Sequence, residues 1–361
     1  MLTEQEVVGA VLDVHSERDA EKFIQEVYWR TYWKGWLEMR PRVWRDYLDD
    51  LAAAQETVDS SGLVSSLRAA EEGATGIECF DAWTRELVAS GYLHNHARMW
   101  FASIWIFTLE LPWVLGAAFF YRHLLDADPA SNTLSWRWVA GLHTRGKFYV
   151  ARAENIRRFT QGRLDPGDEL NENPGPIVDS RSYEAQPLAP PVPSALSDAG
   201  GRLRTGFLLT EDDLHGTVPQ SIEPTSIARL APTPGMRCER SLEFSRRAMD
   251  DAQRRLALGL DGAADAPDMA GELIEPEDVA AWVEDDDLDQ IVCFEPGVGE
   301  TAATLDALAS ELEQPDTPLT RIRSPWDERL FPHARAGYFR FKKRIPEDLE
   351  RIRRLPRAPT Q

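Results

Sequence analysis

Ten of the twelve tryptophans fall before residue 139: Trp29, Trp33, Trp36, Trp44, Trp83, Trp100, Trp105, Trp113, Trp136 and Trp138. Rings at this density must pack on one another or on a flat ligand, because each exposes a large apolar area if left in water. The stretches that carry them lack the two-residue alternation of half-buried strands and read as helices. Asp19–Leu37 is one candidate and Asp81–Leu93 a second, with Leu93–Leu109 following after a short break. Pro112 suits the first turn of a further helix, which Gly116–Leu125 continues. Residues 1–165 are therefore expected to form a mainly α domain.

The remainder has a different character. Residues 166–240 are rich in Pro, Gly, Ser and Asp and read as an irregular linker or covering segment. Residues 241–361 read as an acidic C-terminal region holding a small α/β unit. In it, one helix is expected within 241–265, a short buried strand over Asp289–Pro296, a helix over Thr301–Leu312 and a second strand over Thr317–Arg323. The loop Gly297–Glu300 after the first of these strands could cradle a phosphate. It lacks the glycine spacing of a dinucleotide fingerprint and the lysine of a P-loop, so a plain strand-to-helix turn is the better reading.

The net charge of −20 argues against a nucleic-acid partner only until its distribution is considered. Residues 1–165 hold 18 Lys/Arg against 23 Asp/Glu, and residues 166–361 hold 22 against 37, so most of the acidic excess lies in the second half. Between 137 and 163 the sign reverses. Arg137, Arg145, Lys147, Arg152, Arg157, Arg158 and Arg163 face only Glu154, which is either an ordinary solvated face or a surface for backbone phosphates. No apolar run reaches bilayer length, and the acidic N-terminal residues do not read as a signal peptide. Cys79, Cys238 and Cys293 are far apart and match no metal spacing, which suits reduced thiols in a cytoplasmic protein. His94 and His96 are too close to share a helix face as a metal pair, so no metal site is expected.

Three segments concentrate chemistry. Glu26, Trp29 and Arg30 lie at i, i+3 and i+4 and share one helix face. They could line a polar pocket that stacks a planar ligand, or form a half-buried ring beside a surface ion pair. Asn95 and Arg98 share a face at a helix start after Gly91. Finally, Trp113 is followed by His123, Asp126, Asp128, Asn132, Trp136 and Trp138, a polar loop running into paired indoles.

Taken in order, T-G-I, D-A-W, E-L, G-Y-L-H-N-H-A-R-M, A-S, L-x-W and H-L-L-D-A-D-x-A-S-N-x-x-x-W-x-W, from Thr75 to Trp138, resemble the flavin-cradling half of the DNA photolyase/cryptochrome family. The E-x-x-W-R segment at Glu26–Arg30 falls at the matching place upstream. The phrases Tyr28–Pro41, Gly146–Arg163 and, more weakly, 324–346 resemble a bacterial photolyase-like subgroup.

The resemblance implies a helical FAD-binding domain. It implies that Asn95 and Arg98 lie near the isoalloxazine, that Arg98 pairs with Asp126, that Asp128 lies near the ring edge, and that Asn132 faces flavin N5. It implies that Glu26 and Trp29 contact a pyrimidine dimer flipped out of DNA, with Arg30, Met99 and Trp138 completing the substrate-facing set. Trp136 and Trp113 match the two flavin-proximal members of an electron-transfer chain, whose third member finds no tryptophan around Ser60. The implied activity is FAD-dependent, light-driven repair of pyrimidine dimers. The alternatives are a cryptochrome-like blue-light sensor without repair, or a flavin-free remnant acting as an interaction module. Several features depart from the family pattern. Only 25 residues precede Glu26, so the family's upstream phosphate-binding loop and antenna-binding α/β domain are expected to be missing, and His96 stands where many photolyases carry an arginine.

Overall fold

Local capping chemistry sets the helix starts. Thr3 and Glu6 form a reciprocal capping box at the head of α1 (Glu4–Val14), and Ser16 accepts from the Asp19 amide at the head of α2 (Glu17–Glu38). The chain continues through α3 (Arg42–Ser61), α4 (Val64–Glu72), α5 (Glu78–Ser90), α6 (Asn95–Ser103), α7 (Trp113–His123), α8 (Pro129–Val139) and α9 (Ala153–Phe159). Next come β1 (Thr205–Leu209), β2 (Ser226–Leu230), α10 (Glu239–Leu260), β3 (Leu273–Ile274), α11 (Val279–Asp285), β4 (Gln290–Phe294), α12 (Glu300–Glu311) and β5 (Leu319–Ile322). Three short helices, α13 (Pro325–Leu330), α14 (Tyr338–Phe341) and α15 (Ile345–Arg354), end the order. This computed structural model describes residues 3–189, 203–214, 218–219, 222–260, 271–312 and 317–354. Among the described residues no helix is long and apolar enough to cross a membrane.

The chain divides into two units. The helical unit comprises Pro41–Glu184 and Pro234–Phe244; the mixed unit comprises Met1–Arg40, Ala185–Thr233 and Ser245–Gln361.

In the helical unit the predicted aromatic packing is present. Phe80, Phe101, Trp105, Phe119, Phe120 and Trp136 are all buried and form one ring cluster. Gly116 makes this possible: a Cβ there would lie 2.3 Å from the Trp136 ring, so only glycine lets the indole rest against α7. Gly91 ends α5 in the left-handed region (φ 71°), and a Cβ on it would meet Leu125 at 2.7 Å. A π-helical turn, Ile104–Thr108, follows α6 and brings the Trp105 indole N–H to the Pro112 carbonyl at 3.0 Å. Residues 166–184, read as covering segment, pack on α3. Arg181 grips Asp50 through both carboxylate oxygens (3.0 and 2.6 Å), and the Tyr183 hydroxyl donates to Asp46 at 2.8 Å.

The mixed unit contains more sheet than the sequence suggests. Five parallel strands lie in the order β3-β2-β1-β4-β5. Leu208, Ala228, Leu230, Ile291 and Cys293 pack against Val279 and Val283 of α11 and Leu305 and Leu308 of α12. On the other face Phe207, Leu209, Ile227, Val292 and Phe294 meet Ala252 and Leu256 of α10. Helices on both faces explain why the central strands are apolar runs rather than alternating ones. The strands expected near 289–296 and 317–323 are β4 and β5; β1, β2 and β3 were not read from the sequence.

Elsewhere in this unit α2 is clasped by α13–α15. The Tyr28 hydroxyl and the Arg329 Nε each donate to Asp348 at 2.6 Å, and the Trp326 indole donates to Thr31 at 3.0 Å. Burial pushes Glu38 up to about 7, reinforced by Glu295 and Asp327 and opposed by Arg323 and Lys34. The folded state therefore holds a proton that the unfolded chain releases near 4.5. Stability should fall as pH rises between about 4.5 and about 7, and Glu38→Gln should flatten that slope in melting curves recorded across the window.

Candidate functional site

The polar loop before the paired indoles is built around Asp128. Its Oδ1 accepts from the amides of Ala130 and Ser131 (both 3.0 Å) and its Oδ2 from the Ser131 hydroxyl (3.1 Å), so it caps α8, with Pro129 in the first turn. Ala127 just before it sits in the left-handed region (φ 38°), a strained choice for a residue with a Cβ. From this start α8 buries Asn132, Thr133, Trp136 and Arg137.

These four side chains carry the most informative feature of the helical unit. The Asn132 Nδ2 donates to the Ala117 carbonyl on α7 at 2.8 Å. Because a carbonyl only accepts, this bond fixes the amide's orientation and leaves Oδ1 pointing elsewhere. That Oδ1 is buried without a partner, as are Thr133 Oγ1, Trp136 Nε1 and Arg137 Nε. Buried polar atoms are almost always matched, so such a run along one helix is what a polar ligand or ordered water satisfies. The reduced flavin carries an N–H at N5, and an unmatched amide oxygen is the complement of that donor. On this observation Asn132 fits the ring-side role that the resemblance implies.

Other residues of the set lie differently. Asn95 opens α6 and is exposed, as is Asp126. The Arg98 Nε donates to the Leu93 carbonyl at 2.7 Å, and its guanidinium lies 5.9 Å from the Tyr92 ring. The pairing of Arg98 with Asp126 is therefore corrected: among the described residues no ion pair joins them, because Arg98 turns back onto the segment preceding its own helix. Met99 and Trp138 are half-buried, and the Trp138 ring stacks on Tyr149 at 5.8 Å. His96 stacks on Trp100 at 4.0 Å, and burial lowers its affinity for a proton.

Trp136 is enclosed by Phe101, Trp105 and Phe120, with the Trp105 ring edge-on at 6.2 Å. Trp113 contacts Tyr47 at 5.8 Å and the Arg137 guanidinium at 5.8 Å. Trp105 was absent from the sequence-derived set, although its place between two matched motifs was the available signal. The side chain of Ser60, where the third chain member was sought, lies outside the described residues. The basic stretch 137–163 is partly neutralised: Arg137 is buried, and Arg152 and Arg157 pair with Glu172 (3.5 Å) and Asp165 (3.4 Å). Among the described residues, no group of three or more His, Cys, Asp or Glu could hold a metal.

Glu26, Trp29 and Arg30 belong to the mixed unit. Glu26 is exposed, and Arg30 pairs with Glu4 of α1 at 2.7 Å. The Trp29 ring lies face to face with Tyr338 of α14, with centroids 3.5 Å apart and planes 11° from parallel. Burial, reinforced by the Glu26 carboxylate, pushes the Tyr338 phenol above its ordinary range.

Comparison with known proteins agrees with this reading of the helical segment. Residues 23–169 match the family described as the FAD binding domain of DNA photolyase. A deoxyribodipyrimidine photo-lyase of Streptomyces griseus is 33% identical over 168 residues, covering 42% of this chain and 36% of the relative. The Escherichia coli photo-lyase is 26% identical over 194 residues, covering 46% and 41%. Cryptochrome-1 of Arabidopsis thaliana is 40% identical over 102 residues, covering 28% and 15%. Residues 23–169 are thus similar to the FAD-binding domain of photolyases and to part of a cryptochrome. The chain spans about a third of the length of the curated relatives it matches first. No solved structure matches it.

Proposed function

We propose that this protein binds FAD and uses light to split pyrimidine dimers in DNA. The observation that carries the reading is the buried, unmatched Asn132 Oδ1 within a segment of the FAD-binding family. FAD, when bound, would supply light-driven electron donation to the dimer. Asn132 would accept from the ring nitrogen N–H, while Thr133 and the Trp136 indole N–H offer further polar atoms along the same helix. Asn95, Arg98, Asp126 and Asp128 complete the proposed cofactor set, with Asp128 acting through the α8 turn that it caps. Trp136, and beyond it Trp113 or the edge-on Trp105, would relay electrons to the pocket. Glu26 would hydrogen-bond the dimer and Trp29 would stack on it; the resemblance assigns Arg30, Met99 and Trp138 to the same substrate-facing role.

The test is repair of UV-irradiated oligonucleotide under blue light by the FAD-loaded protein. Asn132→Ala should leave the fold intact, shift the flavin absorption bands and lower repair at least tenfold, the order of loss on removing one oriented polar group at a reacting centre. Equal repair by wild type and variant would remove Asn132 from its proposed role.

One observation favours a light-sensing reading instead. The Tyr338 ring already fills one face of Trp29, where a flipped base would stack. A sensor would bind FAD and respond to light without removing dimers, so flavin photoreduction with no repair separates the two.

A further inference from the structure

The turn that holds Tyr338 against Trp29 also turns a different set of side chains outward. Tyr338 donates its hydroxyl to the Gln25 carbonyl at 3.0 Å and stacks on Trp29, while Phe341 packs between Tyr28 and Tyr32. With residues 338 and 341 fixed inward, the one-turn helix α14 must project its other positions into solvent. Phe339 is 82% exposed, more than any other aromatic ring among the described residues. Arg335, Arg340 and Lys343 around it are exposed and have no acidic partner among the described residues. Their neighbours behave otherwise: Lys342 pairs with Glu21 at 3.3 Å and Arg344 with Glu347 at 3.4 Å. From Ala334 to Pro346 the sequence contains five cations and no acid, in a chain whose net charge is −20.

We infer that the Arg335–Arg344 turn is a DNA-contact surface, with Phe339 stacking on an unpaired base and Arg335, Arg340 and Lys343 binding backbone phosphates. An exposed ring among unpaired cations is the combination that binds single-stranded nucleic acid, since every base offers a π-face and every nucleotide a phosphate. A solvated basic face has no use for the ring. A membrane-surface helix needs a broad apolar face, and α14 offers one outward ring. The inward anchors mean that little ordering is needed on binding, which favours affinity. The Tyr338–Trp29 stack joins this surface to the helix face carrying Glu26 and Trp29. The inference rests on the proposal that the protein acts on DNA at that face. It adds a surface outside the residues that match the FAD-binding family.

The test uses the full chain and a fluorescent oligothymidylate, unirradiated and UV-irradiated, titrated at several salt concentrations. Phe339→Ala should weaken binding about tenfold, within the range for losing one base stack. Arg335→Ala/Arg340→Ala/Lys343→Ala should reduce the slope of log affinity against log salt by about two, at about 0.7 per phosphate contact. All four side chains are exposed, so unchanged melting temperatures should accompany both effects. Wild-type affinity and salt slope in both variants would overturn the inference. So would variants that lose binding to phosphatidylserine vesicles while keeping DNA binding. If wild type repairs dimers and the variants match it in binding, the contact surface fails and the proposed function stands. If wild type binds DNA through these residues but never repairs it, the reverse holds.

Discussion

Asp348→Ala should lower the unfolding free energy by about 3–5 kcal/mol, the usual cost of removing one partner from a buried charged pair. Asp348 is 5% exposed and accepts from the Tyr28 hydroxyl and the Arg329 Nε, both at 2.6 Å. Its loss strands a phenol that is fully buried and a guanidinium whose Nη2 already lacks a partner. Burial, followed by the Asp348 charge, pushes the Tyr28 phenol above its ordinary range, so in the native protein it is a neutral donor that needs this acceptor. Asp348→Asn should cost less, because an amide oxygen can still accept from Tyr28. Chemical denaturation of both variants, followed by far-UV circular dichroism, checks the order; equal stability of Asp348→Ala and wild type would show that the clasp of α15 on α2 contributes nothing.

The second large effect is expected at Asp81. Its Oδ1 accepts from the Thr75 amide (2.9 Å) and hydroxyl (2.6 Å), and its Oδ2 accepts from the Gly76 amide (3.0 Å). The carboxylate is 7% exposed, so these bonds are shielded from water. A hydrogen bond to a charged group contributes about 1.5–3 kcal/mol, and the bonds here share one acceptor, so Asp81→Ala should cost about 3 kcal/mol. The loop Thr75–Ile77 sets the start of α5, and protection of its amides from hydrogen exchange should drop most. A loss confined to flavin binding, with stability unchanged, would contradict this structural role.

Asp81 also illustrates what the sequence could disclose. The T-G-I and D-A-W phrases were legible as parts of a family signature, but their meaning was not. Side-chain oxygens five and six residues from the amides they bind give no periodic signal. The helices over Asp19–Leu37, Asp81–Leu93 and Gly116–Leu125 were legible because their stretches lack strand-like alternation, whereas the caps Thr3, Ser16 and Asp128 show only in the structure. The strands β4 and β5 stood out between turn residues, whereas β1 and β2 hid in a Pro-rich stretch. Gly206 in β1 and Arg229 in β2 interrupt the apolar runs, and parallel pairing of β1 with β2 and β4, and of β2 with β1 and β3, supplies the burial that local pattern lacks. The pairing of Arg98 with Asp126 was expected and is not formed, since a guanidinium can equally serve a nearby carbonyl. Most concealed was Tyr338 on Trp29, a contact between opposite ends of the chain that changes what an indole at that position can do. The unmatched Asn132 oxygen was likewise out of reach until the Ala117 carbonyl was seen to hold the other end of the amide.

Whether the helical segment holds a flavin can be read from the absorption spectrum of the purified protein. Flavin bands should be present, retained through gel filtration after incubation with FAD and bleached by blue light in the presence of a reductant. A protein that remains colourless after incubation with FAD would contradict flavin binding by this segment.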